Sequence, residues 1–404
     1  MVKFNRRFIF CLRLSKRRLF IAFKATARLE YVKPMKKIAV FGGSFNPVHK
    51  EHKKIVEEAL KALDVDKLIV MPAGKPPHKK GAAIADGAIR KKLLLVAFDG
   101  EEKVEVSDYE LKKEGLSYTY ETLEHLNALY KSEKTYFLVG TDMLSDFPTW
   151  KCPEKILKAA TLFVTKREGE DEEKAERFFA EHFSEKVKFS PYVGKNISGT
   201  KIRAYLALGL NACEYLDENV YDYIKKNGLY SEGKAGELVR KNLPEKRLIH
   251  TAGVMTLAVR YARRLKVNAD EAFLAAMLHD VAKYMSPESL SLSYPGVPAP
   301  VVHQFLGADF IKKELPRISE DIVNAVRYHT TGRANMTRME QIIFLADLLE
   351  ENRTFCGVDE LRAAVEEDFD KGFSLCVKKL YEFLSLSGDP VYYLTKECCD
   401  YYAK

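Results

Sequence analysis

Through the first half of the chain, short apolar runs alternate with longer stretches whose apolar residues recur every three or four positions. The runs fall at 37–41, 67–71, 103–107, 135–139 and 161–165, and the amphipathic stretches at 49–63, 86–98, 118–130, 153–160 and 171–183. Runs of that length suit buried strands, and the stretches between them suit helices with one apolar face. Regular alternation of the two predicts a parallel sheet with helices on both faces, a Rossmann-like α/β domain. Ligands of such sheets sit beyond the carboxyl ends of the strands, so the loops that follow the strands are where function is expected. From Ser231 to Gly236 the pattern stops in a small, polar, glycine-containing stretch. Beyond it only helical periodicity returns, at 236–242, 246–266, 270–284, 299–314, 318–330, 338–352, 358–383 and 390–402, with six prolines as punctuation. The expected organisation is a basic extension at 1–35, an α/β domain at 36–231, a linker at 232–240 and an all-α domain at 241–404.

Composition narrows the class. At 404 residues and 47% hydrophobic positions, the chain can fill two or three ordinary cores. Its seven cysteines are odd in number, scattered and without a C-x-x-C pair, which indicates reduced thiols in a cytoplasmic protein. The net charge of +8 is unevenly placed: residues 1–34 hold ten Lys or Arg against Glu30 alone, a balance of +9, so the rest sums to 8 − 9 = −1. A near-neutral body argues against nucleic acid as a partner. The basic segment lacks an uninterrupted apolar run, so it reads neither as a secretory signal nor as a bilayer span. An amphipathic targeting or membrane-surface helix is one reading of it. The preferred one is an unstructured or artefactual upstream extension, because Met35-Lys36-Lys37 runs at once into the first strand. The sequence leaves room for a homo-oligomer and does not fix one.

The chemistry-bearing stretch of the first half is 38–52. An apolar run from Ile38 to Phe41 breaks at Gly42-Gly43, passes Ser44, Phe45, Asn46 and Pro47, and becomes helical with His49 and His52 in the first turn. Glycines let a backbone approach a polyphosphate, and a helix N-terminus aims free N–H groups at it. His49 and His52, three apart, lie on one helix face and reach the same anion. Taken alone, the stretch also reads as an ordinary turn with solvated histidines, or as half of a zinc site. Four more loops carry polar groups. Lys75, His78, Lys79 and Lys80 follow the second strand in a proline-rich turn. Ser117 and Thr119 precede a helix as caps or ligand donors. Asp142 closes the fourth strand, and Trp150 offers a flat face for packing or for stacking on a ring. Ser198, Thr200 and Arg203 sit at a helix start as a plain cap or as a second anion cradle.

In their order along 36–230, these words resemble the nicotinate-nucleotide adenylyltransferases within the nucleotidyltransferase superfamily. The match runs through Gly42 to His52, Pro-Pro-His-Lys at 76–79, Ser-Tyr-Thr at 117–119, Gly140-Thr-Asp142 and Ile197 to Arg203. Asn46 replaces the commoner Asp and Glu51 the usual Gly; Glu51 is expected to point away from the phosphates. The resemblance implies transfer of AMP from ATP to nicotinate mononucleotide in NAD synthesis, with no covalent intermediate. It assigns the triphosphate to His49, His52 and Arg203, supported by Ser198, Thr200 and the backbone at Gly42, Gly43, Ser44 and Phe45. Lys75, His78, Lys79 and Ser117 become substrate contacts, with the pyridine near Thr119 and Trp150 and Asp142 near the nucleotide. Mg²⁺ would enter with ATP.

In the second half, polar residues stand where burial is expected. Ala272 to Leu278 is apolar all round and runs into His279-Asp280, and Asp347 interrupts another apolar run. A buried carboxylate needs a cation or strong donors beside it. His250, His303 and His329 lie on further helical stretches, and four histidines with two such aspartates point to a metal centre. Imidazole with carboxylate suits Fe, Mn or Co. The order His250, His279-Asp280, His303, His329, Asp347 resembles the HD-domain phosphohydrolases, and the surrounding words resemble the bacterial branch that splits diadenosine tetraphosphate symmetrically to ADP. That resemblance implies one metal on His250, His279, Asp280 and Asp347, a second on His303 and His329 bridged by Asp280, and a metal-activated water attacking phosphorus. Lys283 would neutralise phosphate. The alternatives are an HD half acting on another nucleotide or phosphate ester, or a nucleotide-sensing module.

Overall fold

A computed structural model of the chain describes residues 35–74, 85–144, 146–168, 177, 186–386 and 391–403. The expectations placed on the basic extension before residue 35, on the turn carrying Lys75, His78 and Lys79, and on nearly all of the helical stretch 171–183 lie outside the described residues.

The α/β half alternates as the hydrophobic pattern predicts. In chain order it consists of β1 (Lys37–Gly43), α1 (Lys50–Leu63), β2 (Lys67–Pro72), α2 (Gly87–Ala97), β3 (Val104–Val106), a short α3 (Tyr109–Lys112), α4 (Thr119–Tyr130), β4 (Lys134–Gly140), α5 (Pro153–Ala159), β5 (Thr161–Arg167) and β6 (Val187–Gly194). Two further helices follow, α6 (Gly199–Ala207) and α7 (Glu218–Lys226). All strands are parallel, in the order β3-β2-β1-β4-β5-β6. The order reverses between β1 and β4, whose following helices pack on opposite faces; the carboxyl ends of these two strands therefore open a crevice. Central strands are apolar on both sides: Ala39 and Leu68 enter the core on one face, Ile38 and Ile69 the other.

The helical half comprises α8 (Gly233–Asn242), α9 (Glu245–Arg264), α10 (Ala269–Leu278), α11 (Ala299–Glu314), α12 (Glu320–Arg327), α13 (Arg338–Leu349), α14 (Val358–Glu367), α15 (Phe369–Leu386) and α16 (Tyr393–Tyr402). Residues 233–242, expected as linker for the most part, form α8 and bury Ala235, Gly236 and Val239. The core of this half does not stop at the join. Ala204, Ala207, Leu208 and Leu210, from the end of α6 and just beyond, belong to the same buried cluster as the α9 and α10 side chains. No helix among the described residues is long and apolar enough to cross a membrane.

Candidate functional sites

The crevice at the β1 and β4 ends is a cavity of about 710 Å³, with Gly42, Gly43, Ser44, His49 and His52 in its wall. A Cβ on Gly43 would lie 3.1 Å from the Phe45 ring and press on it, so the glycine lets the loop pass close over that ring. Phe45 itself is buried beneath the loop with a left-handed backbone (φ 44°), so it shapes the loop from below. Its ring meets the edge of His52 at 4.9 Å between centroids. His49 stands at the N-cap of α1, its backbone N–H donating to His52 Nδ1 at 3.3 Å, and the two imidazoles stack 3.6 Å apart. The expected shared face is therefore present. Burial, helped by the positive charge of Arg167, pulls the His49 ring down to about 3, and its Nδ1 is buried without a hydrogen-bond partner.

Arg203 is joined to this loop, donating from Nη1 to the Asn46 carbonyl at 2.8 Å and from Nη2 to Thr200 Oγ1 at 3.3 Å. Ser198 is the N-cap of α6, yet its side chain makes no capping bond, so the plain-cap reading of that serine does not hold. Ser117 and Thr119 line the cavity; the Ser117 hydroxyl is buried without a partner, and the N-cap of α4 is the intervening Tyr118. Trp150 lines it too, against Phe147 and Phe137. Asp142 falls in a single 3-10 turn directly after β4, and its side chain is outside the described set. Glu51 departs from expectation: it sits in the cavity wall, its carboxylate accepting from the Tyr192 hydroxyl at 3.1 Å. Burial pushes its carboxyl up, partly offset by that bond.

One supporting residue escaped the sequence reading. Arg90 is buried and donates to the carbonyls of Ala85, Ser44 and Ala73 at 2.8, 2.9 and 2.8 Å, tying the β1 loop to the β2 loop. An arginine on an amphipathic stretch gives no sign that it joins a nearby carbonyl to two from the loops after β1 and β2.

The second constellation lies in the helical half. His250 and His303 project from α9 and α11, and Asp347 from α13. His279-Asp280 and His329 stand in turns just past α10 and α12, not within helices as the periodicity suggests. The rings are held in one sense. Nδ1–H of His279 donates to the Ala276 carbonyl and that of His329 to the Val326 carbonyl, both at 2.7 Å, while His250 Nδ1 meets Glu350 Oε1 at 3.0 Å. Those partners turn each Nε2 lone pair inward, the arrangement that metal ligation requires. His250 Nε2 is 3.0 Å from Asp347 Oδ1; His303 and His329 Nε2 are 3.3 and 3.6 Å from Asp280 Oδ1.

Two groups bring their ligand atoms within 4.8 Å of one another: His250, His279 and Asp347, and His279, Asp280 and His329. Buried His250 Nε2, His279 Nε2 and Asp280 Oδ1 have no hydrogen-bond partner, which is the state of a donor set that fits a divalent cation. Burial drives His279 below its ordinary pKa and His303 down to about 4, so both are neutral and able to ligate. Burial opposes the Asp347 charge, but the imidazoles of His250 and His279 and the Arg353 guanidinium beside it hold the carboxyl far below its usual range. Lys283 Nζ lies 3.1 Å from His303 Nε2. Four neighbours were not anticipated: Glu350 behind His250, Arg247 on Asp280 at 2.9 Å, Arg353 on Asp347 at 2.5 Å, and buried Gln304, which accepts from the Thr330 and Thr331 N–H groups and fixes the turn bearing His329.

The class is thus an α/β domain with a histidine-lined crevice at the strand ends, fused to a helical domain that groups residues able to hold a metal. Residues 40–205 match the cytidylyltransferase-like family, and residues 247–352 match the HD domain. The probable nicotinate-nucleotide adenylyltransferase of Clostridium tetani is 38% identical over 199 residues, all of that protein and 48% of this chain; its Clostridium novyi counterpart is 39% identical over the same span. Among solved structures, a predicted HD superfamily hydrolase involved in NAD metabolism from Clostridium acetobutylicum is 32% identical, covering 95% of that chain and 42% of this one with a TM-score of 0.40. Through its α/β half, the chain belongs to the nicotinate-nucleotide adenylyltransferase family, and its helical half carries an HD domain.

Proposed function

We propose that the chain is a bifunctional enzyme, with a transferase unit at 36–231 and a hydrolase unit at 241–404. In the first, a phosphate oxygen of nicotinate mononucleotide attacks the α-phosphorus of Mg²⁺-bound ATP. The new P–O bond replaces that to the β-phosphate, giving deamido-NAD and pyrophosphate. No protein nucleophile takes part; the site contributes alignment and charge. The observation that carries this reading is the cavity at the β1 and β4 ends, with stacked His49 and His52 in its wall and Trp150 and Thr119 lining it as well. His49 and His52 donate to the α- and β-phosphates, Arg203 with Ser198 and Thr200 holds the triphosphate end, and Trp150 backs the pyridine ring. Incubation with ATP and either nicotinate or nicotinamide mononucleotide tests it, deamido-NAD being the expected main product; neither dinucleotide appearing would overturn it.

In the HD unit, His250, His279, Asp280 and Asp347 hold a divalent metal, Fe, Mn or Co, and His303 and His329 a second. Bound metal there supplies positive charge and a more acidic water for attack on a phosphoric anhydride. Glu350 orients His250, Arg247 and Arg353 hold the two aspartates, and Lys283 faces the phosphate. Diadenosine tetraphosphate cut symmetrically to ADP is the expected reaction. With Mn²⁺ or Fe²⁺, ADP as sole product supports it, AMP with ATP would contradict it, and no cleavage points to another phosphate ester or a sensing role.

A further inference from the structure

The join between the halves holds a second cavity, of about 600 Å³, walled by Arg203 and Tyr230 on one side and by α9 and α10 residues on the other. Two residues, Ser44 and Arg263, line both this cavity and the one at the strand ends, so the two spaces meet there. Arg263 is in the last turn of α9, in the helical half. Its neighbours on that helix are committed elsewhere: Arg260 pairs with Glu366 at 2.5 Å, and Arg264 donates to the Val365 carbonyl at 2.8 Å. Among the described residues, the Arg263 guanidinium makes no hydrogen bond or close ion pair, and the Asp270 carboxylate at the start of α10 is the charge that acts on it. Arg203 faces the same cavity, close enough for the two positive charges to act on each other. The carboxylates of Asp270 and Glu232 offset part of that repulsion, and a phosphate between the two cations would relieve the rest. Asp270, Glu271 and Glu232 also line the crevice, a mixture of sign that suits a metal-chelated phosphate better than a bare one.

We infer that Arg263 is a phosphate-binding residue of the transferase site, supplied by the HD half, and that it grips the Mg²⁺-chelated β- and γ-phosphates that depart as pyrophosphate. His49 lines the first cavity and Arg203 the second, and Ser44 and Arg263 line both. The inference rests on the transferase reading above, and it makes the transferase site incomplete without its fused partner. Steady-state kinetics on full-length Arg263→Ala, Arg263→Lys and Arg263→Glu test it, together with calorimetric binding of Mg²⁺-pyrophosphate and Mg²⁺-ATP. The Ala variant should raise the KM for ATP and the Kd for pyrophosphate by about tenfold, the loss of one charge-assisted bond. Lys should restore part and Glu should weaken binding further, while the KM for nicotinate mononucleotide and the melting temperature stay put. Unaltered ATP and pyrophosphate binding in both the Ala and Glu variants would overturn it. Should the wild type make no dinucleotide, the transferase reading fails, yet the binding arms still decide for or against Arg263.

Discussion

Position 253 leaves no room for a side chain beside the carboxylate that holds His250. A Cβ there would lie 2.2 Å from Glu350 Oε2, the carboxylate that holds the His250 ring in place. Gly253→Ala should displace Glu350, free the imidazole and lower metal content and phosphohydrolase rate at least tenfold, a typical loss for a displaced orienting partner; elemental analysis of the purified variant checks this. Glu350 was not legible in the sequence, because its partner is a hundred positions away and its own run reads as an exposed helix end. The histidines and aspartates were legible, since polar residues inside apolar runs need a reason. At the other site, His52→Ala should lose most turnover with the fold retained, seen as normal circular dichroism beside a collapsed rate. His49 adds a pH dependence. Its folded pKa of about 3 lies below the 6.5 of an open chain, so the unfolded state takes up a proton first as the pH falls. Stability is intact above 6.5 and drains away towards 3, by up to about 1.4 kcal/mol per pH unit. Urea titrations at pH 7 and 5 should show a smaller loss for His49→Gln than for the wild type.

Among elements, the alternation of strands and helices was readable because parallel strands and their crossover helices differ in period. The failures have local causes. Strand β6 is an edge strand with polar alternation and Pro191 inside it, so no apolar run marks it. The stretch 358–383 reads as one helix but forms α14 and α15, parted at Asp368, whose carboxylate accepts from the Asp370 and Lys371 N–H groups at 3.0 and 3.1 Å. Neither glycine nor proline announces that break. Helix α6 begins with the residues proposed to hold phosphate and ends in the core of the other half, and Lys201 on it reaches Glu351 at 2.7 Å. Leu208→Ala should therefore cost about 2–5 kcal/mol and lower the denaturation midpoint of both activities together. A shift in the transferase midpoint alone would show that the shared core does not couple the halves.

On the scale of the whole molecule, the two sites proposed to handle polyphosphates lie in halves whose cores meet along α6, and among the described residues only one of them has a group that could hold a metal. Chelation should separate them: protein stripped with EDTA and returned to Mg²⁺ should keep its transferase rate and regain hydrolysis only with Fe²⁺, Mn²⁺ or Co²⁺. The candidate residues of both sites were visible from residue order; that Arg263 of one half lines the cavity of the other was not, since periodicity says nothing of how helices dock. The most direct measurement assays deamido-NAD synthesis and diadenosine tetraphosphate cleavage side by side in the wild type, His52→Ala and Asp347→Asn. Each substitution should abolish one activity and leave the other within about twofold, the sites being separate constellations. A His52→Ala chain that still makes deamido-NAD at the wild-type rate, or an Asp347→Asn chain that still releases ADP, would contradict the account.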